Sequence, residues 1–357
     1  MFQSVTVRNF RCFREICVEP LKRMNLIAGT NNAGKTSLLE AVFLLIGWNN
    51  PELPTTINVL RGISRFEPTP EDLWGWLFHN KGTGTPALVE GTGHDGTGEI
   101  LEIRLTELSR PPSFDEESRK LVIEEENVSS TTPPRSPGLM LRHTDREAAV
   151  HECVAYIARD RQLKFVPVPD TAVPMGIFLT GHSRGFKEDA ERFSKLEETG
   201  RQDEVVEVLA KLEPRLRRLS ILVSSGIPVI CGDIGIGKLL PLPIMGEGMV
   251  RLLSMVLAIM TATHGVVLID EVENGLHYSA LGDVWRAIGH AARKADAQIF
   301  ATTHSWECIK AAHEAFSPED AYDFALHRVD KVDGDIASVT YDREALDASL
   351  TAELEVR

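Results

Sequence analysis

The chain has 357 residues, of which 43% are hydrophobic and 25% charged, and it carries a formal net charge of −14. These values describe a folding globular chain of roughly two units by size and exclude disorder as its main state; the acidic balance argues against a surface that wraps nucleic acid or an anionic membrane as a whole. No window approaches the ~18 uninterrupted apolar residues of a membrane span, and Met1-Phe2-Gln3-Ser4-Val5 lacks the charged start and apolar core of a secretory leader, so the chain reads as soluble and cytoplasmic.

The cysteines, Cys12, Cys17, Cys153, Cys231 and Cys308, are scattered without a CxxC pair. Neither a disulfide framework nor a zinc knuckle is suggested, and buried free thiols are expected.

Met24-Asn25-Leu26-Ile27-Ala28 is a short apolar run that leads into Gly29-Thr30-Asn31-Asn32-Ala33-Gly34-Lys35-Thr36, which fits G-x-x-x-x-G-K-[ST]. Ser37 to Ile46 follows with helix formers and no Gly or Pro, giving the strand, loop and helix that a phosphate loop requires. Gly29 and Gly34 let the backbone curl so that successive N–H groups face a phosphate from a helix N-terminus. Lys35 supplies a point charge to β- and γ-phosphates, and Thr36 a hydroxyl ligand for Mg²⁺.

Ala87-Leu88-Val89-Glu90 and Glu99 to Leu105 alternate like antiparallel strands separated by glycine-rich turns. From Ser109 to Gly138 the chain is rich in Pro, Ser and charge, as expected of a mobile excursion or hairpin tip. Two helical patterns follow, with Phe186, Ala190 and Phe193, then Val205, Val208, Leu209 and Leu212 at helical spacing, divided by Gly200 and ended by Pro214. No heptad pattern is long enough for an extended coiled coil. Arg215, Arg217 and Arg218 form the densest basic cluster, either a solvated helix face or a contact for DNA or a partner's carboxylates.

Met245-Gly246-Glu247-Gly248 precedes the apolar run Leu252 to Met260. Its glycines either bring a helix N-terminus close to a phosphate or merely turn the chain into a core helix. Val266-Val267-Leu268-Ile269-Asp270-Glu271 reads as a strand buried on both faces that ends in two carboxylates. Asp270 is placed to hold Mg²⁺, directly or through water, and Glu271 to orient and deprotonate the attacking water. Gln298 to Thr302 is a third apolar run, and His304 just beyond it is placed to meet a γ-phosphate, the alternative being a structural histidine. Asn274 and His277 reach across an interface or cap the next helix. The end of the chain reads as a hairpin around Asp333-Gly334 and a short helix from about Asp342.

Taken together, Walker A, Walker B with an adjacent Glu, and the switch His resemble an ABC-type ATPase head of the RecF/SMC group. The tighter resemblance is to ATPase domains of the OLD (overcoming lysogenization defect) family, carried by Val5 to Phe13, by Ile269-Asp270-Glu271-Val272-Glu273-Asn274-Gly275-Leu276-His277 and by Ala301-Thr302-Thr303-His304-Ser305. The resemblance implies an α/β P-loop fold of ABC type: a mainly parallel core sheet flanked by helices, an antiparallel β side-sheet and a compact helical lobe. Expected boundaries are 1–108 for the N-terminal lobe, 109–140 for the excursion, 141–239 for the helical insertion and 240–357 for the C-terminal lobe.

It also implies a nucleotide site of Gly29, Thr30, Asn31, Asn32, Ala33, Gly34, Lys35, Thr36 and Ser37, joined across a homodimer by Gly246 and Gly248 of the other protomer. Glu271, His304 and Lys35 are the expected catalytic residues, Thr36 and Asp270 the metal ligands, and ATP and Mg²⁺ the cofactors. The serine usual in the ABC signature is absent, with Met245 near its place, and His277 stands where transporters carry an acidic residue. The stretch after His304 is too short for the TOPRIM nuclease domain of full OLD proteins. The implied function is a nucleotide-driven dimeric switch, without membrane contact, that controls a protein effector such as a nuclease or toxin in anti-phage defence. The alternative is a RecF-like ATPase clamp that binds DNA.

Overall fold

The computed structural model describes residues 1–63, 69–115, 120–123, 136–168, 173–181, 185–224, 226–318 and 322–356. They fall into two compact units. The first comprises Met1–Pro20, Asn32–Pro174 and Val329–Ser338; the second comprises Leu21–Asn31, Met175–Arg328 and Val339–Arg357.

The first unit holds an antiparallel sheet in the order Leu163–Val166, Val150–Ile157, Ser136–Thr144, Gly98–Leu108, Ala87–Gly93, Phe2–Phe10 and Phe13–Val18. The two middle strands are those expected from alternation, and their register pairs Val89 with Leu101 and Ala87 with Ile103, all four buried. Helix Lys35–Ile46 packs its apolar residues on this sheet.

In the second unit the strands run Gly176–Leu179, Val266–Ile269, Gln298–Thr302, Met24–Ala28 and the Phe324–Arg328 part of Phe324–Val332, all mutually parallel; the chain enters the first unit at Val329 and returns within the next strand, Asp335–Tyr341. Met24–Ala28, Val266–Ile269 and Gln298–Thr302 are buried at every position, as strands covered on both faces must be. Helices Glu247–Thr261, Leu281–Ala295 and Trp306–Phe316 pack in succession, and Trp285 meets Phe316 and Phe324 edge-on at 6.3 and 6.4 Å. Asp333 and Gly334 both take positive φ at the turn between the last two strands.

The α/β class is as expected, and so are helices Phe186–Glu198 and Gln202–Leu209. Four local readings are corrected. The stretch expected to be helical also contains strands Val150–Ile157, Leu163–Val166, Arg218–Ser224 and Ile227–Asp233. Much of the expected excursion, 116–119 and 124–135, lies outside the described residues, but Ser113–Asp115 pairs with Lys120–Val122 and a core strand already starts at Ser136. Pro137 is tolerated in that strand because pairing with the Val150 strand begins only at Gly138, so its missing N–H faces no second neighbour. The Arg215 cluster is not a helix face: Arg215 holds Glu213 through two bonds of 2.9 Å, and Arg218 opens a strand and pairs with Asp233 at 3.5 Å. The five cysteines are free, and Cys17 is exposed where buried thiols were expected.

His327 is fully buried between Asn25 and Thr340; its Nε2–H donates to Asn25 Oδ1 at 3.3 Å and its Nδ1 accepts from the Thr340 hydroxyl at 2.8 Å. Burial pulls its pKa down to about 3. The unfolded chain therefore takes up a proton below pH ~6.5 that the folded chain refuses, and stability falls as pH drops from there towards the folded value. Between pH 7 and pH 5 this one group should remove about 2 kcal/mol of stability. Denaturant titrations at both pH values should show that loss in the native chain and a smaller one in His327→Gln; equal losses would refute the assignment.

Candidate functional site

The strand Met24–Ala28 delivers the chain into Gly29, whose φ is 146°, and the loop closes at Gly34 with φ 93° and ψ 10° as the N-cap of helix Lys35–Ile46. Gly34 is required twice over. Its φ suits glycine alone, and a Cβ there would stand 2.7 Å from Cys12 Sγ and 2.8 Å from the Phe13 ring. Gly29, Thr30 and Asn31 group with the second unit, and Asn32 to Ser37 with the first. Thr30, Asn31 and Asn32 are exposed, Ala33 is buried, and Lys35 and Thr36 are half-buried at the first two helical positions. The first turn of the helix carries no acidic residue of its own.

Helix Lys35–Ile46 also anchors an ion network that sequence reading missed. Glu40, 2% exposed, accepts from Arg11 Nε at 3.0 Å and from Arg61 Nε at 2.6 Å, and Arg61 also donates to the Ser37 hydroxyl at 3.1 Å. A carboxylate inside an apolar helix was the available signal, since such a charge persists only when paired. Burial pushes the Arg11 guanidinium pKa down against the pull of Glu40, and it pushes the Cys12 thiol up.

In the second unit the parallel register aligns Ile27 with Thr302 and Ala301 with Ile269, so Gly29, Thr303-His304 and Asp270-Glu271 all leave from the carboxyl ends of neighbouring strands. Thr302 organises two of these exits. Its hydroxyl donates to Asp270 Oδ1 at 2.6 Å and accepts the Glu271 N–H at 2.9 Å. Glu271 has a φ of 49°, a left-handed conformation in a non-glycine residue at the position expected to be catalytic. Arg251 donates through Nη1 to Thr180 O at 3.0 Å and through Nη2 to Asp270 O at 2.8 Å and Glu271 O at 3.3 Å. Burial lowers its pKa while Asp270, Glu271 and Glu273 oppose the shift.

His304 is 56% exposed, and its Nδ1 lies 3.3 Å from Glu273 Oε1, an oxygen that also accepts the Thr303 hydroxyl at 2.8 Å and the His304 N–H at 3.0 Å. Glu273, Thr302 and Arg251 went unassigned from sequence. Their signals were a third carboxylate in Asp270-Glu271-Val272-Glu273, two threonines closing an apolar strand, and an arginine within an apolar helix.

Gly246, exposed with φ 121°, is the N-cap of helix Glu247–Thr261, and Gly248 stands one turn before Arg251. A Cβ on Gly248 would make ordinary contact with Leu276 and with the Gly275 carbonyl, at 3.4 and 3.5 Å. Asn274 donates to Gly181 O at 2.8 Å, and His277 caps the short turn Tyr278–Ala280.

A family model described as "AAA domain, putative AbiEii toxin, Type IV TA system" matches residues 102–307, more than half of the chain and including Asp270, Glu271 and His304. The chain belongs to this AAA family. A second model, described as "AAA domain", matches residues 4–131 of this AAA-type ATPase domain and so includes Gly29 to Thr36. An ATP/GTP phosphatase of Helicobacter pylori is 24% identical over 350 residues, 90% of each chain. The DNA replication and repair protein RecF of Idiomarina loihiensis is 44% identical over 43 residues, 12% of each. Among solved structures, the Smc head domain with an extended coiled coil bound to the C-terminal domain of ScpA, derived from Pyrococcus furiosus, matches with a TM-score of 0.50 at 11% identity, covering 99% of both chains. At that identity the likeness speaks to fold, and the fold is that of an ABC-type P-loop head.

Proposed function

We propose that this AAA domain binds MgATP and hydrolyses it to ADP and phosphate. The observation that carries the reading is the convergence of Gly29, Thr303-His304 and Asp270-Glu271 at the carboxyl ends of adjacent parallel strands, where open α/β sheets hold their ligands. The residue types fit the cofactors: the glycine-opened start of helix Lys35–Ile46 suits phosphate, and a hydroxyl at Thr36 and a carboxylate at Asp270 are each donors that suit a hard cation. Bound Mg²⁺ would neutralise charge on the β- and γ-phosphates. Lys35 holds phosphate, Glu271 orients and deprotonates the attacking water, and His304, steadied by Glu273, faces the γ-phosphate. The H. pylori phosphatase supports the same chemistry over nearly the whole chain.

The finer reading is an OLD-like dimeric switch in which Gly246 and Gly248 complete the site of the opposite protomer. It acts in the cytoplasm on a protein effector such as a nuclease or toxin in anti-phage defence. The Asp270-to-His277 phrase and the toxin description of the family support it. Among the described residues no helix is long and apolar enough to cross a membrane.

Calorimetry should detect ATP binding by the native chain and none by Lys35→Ala, with phosphate release abolished by that substitution and by EDTA. Unchanged ATP affinity in Lys35→Ala would overturn the site. The short RecF match supports a second reading, a DNA-bound ATPase clamp. Retention on duplex DNA with a steep salt dependence would favour it over the effector switch.

A further inference from the structure

We infer that Arg251 and Gly181 are positioning residues for Glu271: the arginine fixes its backbone, and the glycine leaves the space its carboxylate occupies. The inference rests on the catalytic reading of Glu271 given above and adds what holds it in place.

Three observations converge. Glu271 sits at φ 49°, a conformation that a non-glycine side chain keeps only where its surroundings enforce it. Arg251 supplies that enforcement. One guanidinium spans the carbonyls of Thr180, Asp270 and Glu271 and so ties two neighbouring parallel strands together just beyond their ends. Among the described residues its buried Nε has no hydrogen-bond partner, so the bonds it makes run through Nη1 and Nη2 to these carbonyls. On the other side, a Cβ on Gly181 would lie 2.6 Å from Glu271 Oε2 and 3.3 Å from Glu271 Cβ. The closest atom is the end of a flexible side chain, so an alanine there displaces the carboxylate while the fold stays intact. Asn274 holds the same Gly181 through its carbonyl at 2.8 Å, which keeps the glycine against Glu271.

Arg251 also lies one turn beyond Gly248 on helix Glu247–Thr261. A shift of that helix start therefore pulls directly on the backbone of Asp270 and Glu271.

Arg251→Lys keeps the charge but replaces a planar fork with a single ammonium that cannot span three carbonyls. It should leave ATP affinity and KM unchanged while kcat falls about 10- to 100-fold, the cost of a catalytic group displaced by an ångström or less. Gly181→Ala should do the same without touching the helix. In a Glu271→Gln background neither substitution should lower the residual rate further, because both act through that carboxylate.

The nucleotide-free protein gives a readout independent of turnover. Backbone amides 270–272, protected through Leu179 O and Thr302, should exchange hydrogen at least ~10-fold faster in Arg251→Lys. Unchanged exchange in Arg251→Lys, unchanged kcat in both variants, or equal fold-losses in the native and Glu271→Gln backgrounds would each overturn the inference. A native chain that neither binds nor hydrolyses ATP would sink the ATPase reading instead, and the exchange measurement would still judge the clamp.

Discussion

Glu271→Gln is expected to bind ATP as tightly as the native chain and to release phosphate at least ~100-fold more slowly, the usual cost of removing a general base. Glutamine keeps the shape and most of the hydrogen-bonding capacity of the side chain and removes only its basicity, so the backbone hold by Arg251 and Thr302 survives. The choice of Glu271 over Glu273 follows from the geometry. Glu273 Oε1 is already engaged by the Thr303 hydroxyl, the His304 N–H and the His304 ring, and its side chain is only 12% exposed. A carboxylate so committed orients a histidine better than it activates water. Single-turnover phosphate release, with ATP affinity from calorimetry, is the deciding pair of measurements, and a native rate in Glu271→Gln would remove it from the mechanism.

What could be read along the chain was whatever lies in one contiguous run. The strand, glycine loop and helix around Gly29 to Thr36 and the strand that ends at Asp270-Glu271 are each a few residues long, and the residue types and spacing expected there are local. The groups that hold them are assembled by topology. Thr302 reaches Glu271 from 31 positions away, Arg251 from 20, and Gly181 meets Asn274 across 93. The same limit applied to the fold. The amphipathic helix Phe186–Glu198 buries Ala190, Phe193 and Leu196 and shows that period in its sequence. Strand Val150–Ile157 is buried from Cys153 through Tyr156 on successive residues, so no alternation marks it, and Ile227–Asp233 carries Pro228 and Gly232, which read as turn residues. Pro137 likewise suggested a loop until the strand partners were known.

The composite site in trans is tested through Gly248. It is the second residue of helix Glu247–Thr261, where an acidic side chain stabilises the isolated helix through the dipole, and a Cβ meets only ordinary contacts within its own chain. Gly248→Asp should therefore melt no lower than the native protein, so a lost activity cannot be ascribed to unfolding. If the opposite protomer's phosphate approaches this helix start, the carboxylate repels it. Homodimers of Gly248→Asp should then bind ATP through Lys35 and Thr36 but hydrolyse it at least ~100-fold more slowly, because electrostatic stabilisation of the transferred phosphoryl group is lost. Homodimers of Lys35→Ala should be inactive for want of binding. A mixed dimer of the two variants separates the models. With sites shared between protomers, one site carries both lesions and the other carries neither, so single-turnover hydrolysis should return to about half the native amplitude. With each site confined to its own protomer, every site carries a lesion and the mixed dimer stays as inactive as its parents. Gly248→Ala provides the control for bulk without charge. A mixed dimer without activity would overturn the site shared between protomers, and Gly248→Asp homodimers with native turnover would reduce Gly246 and Gly248 to the turn that starts a core helix.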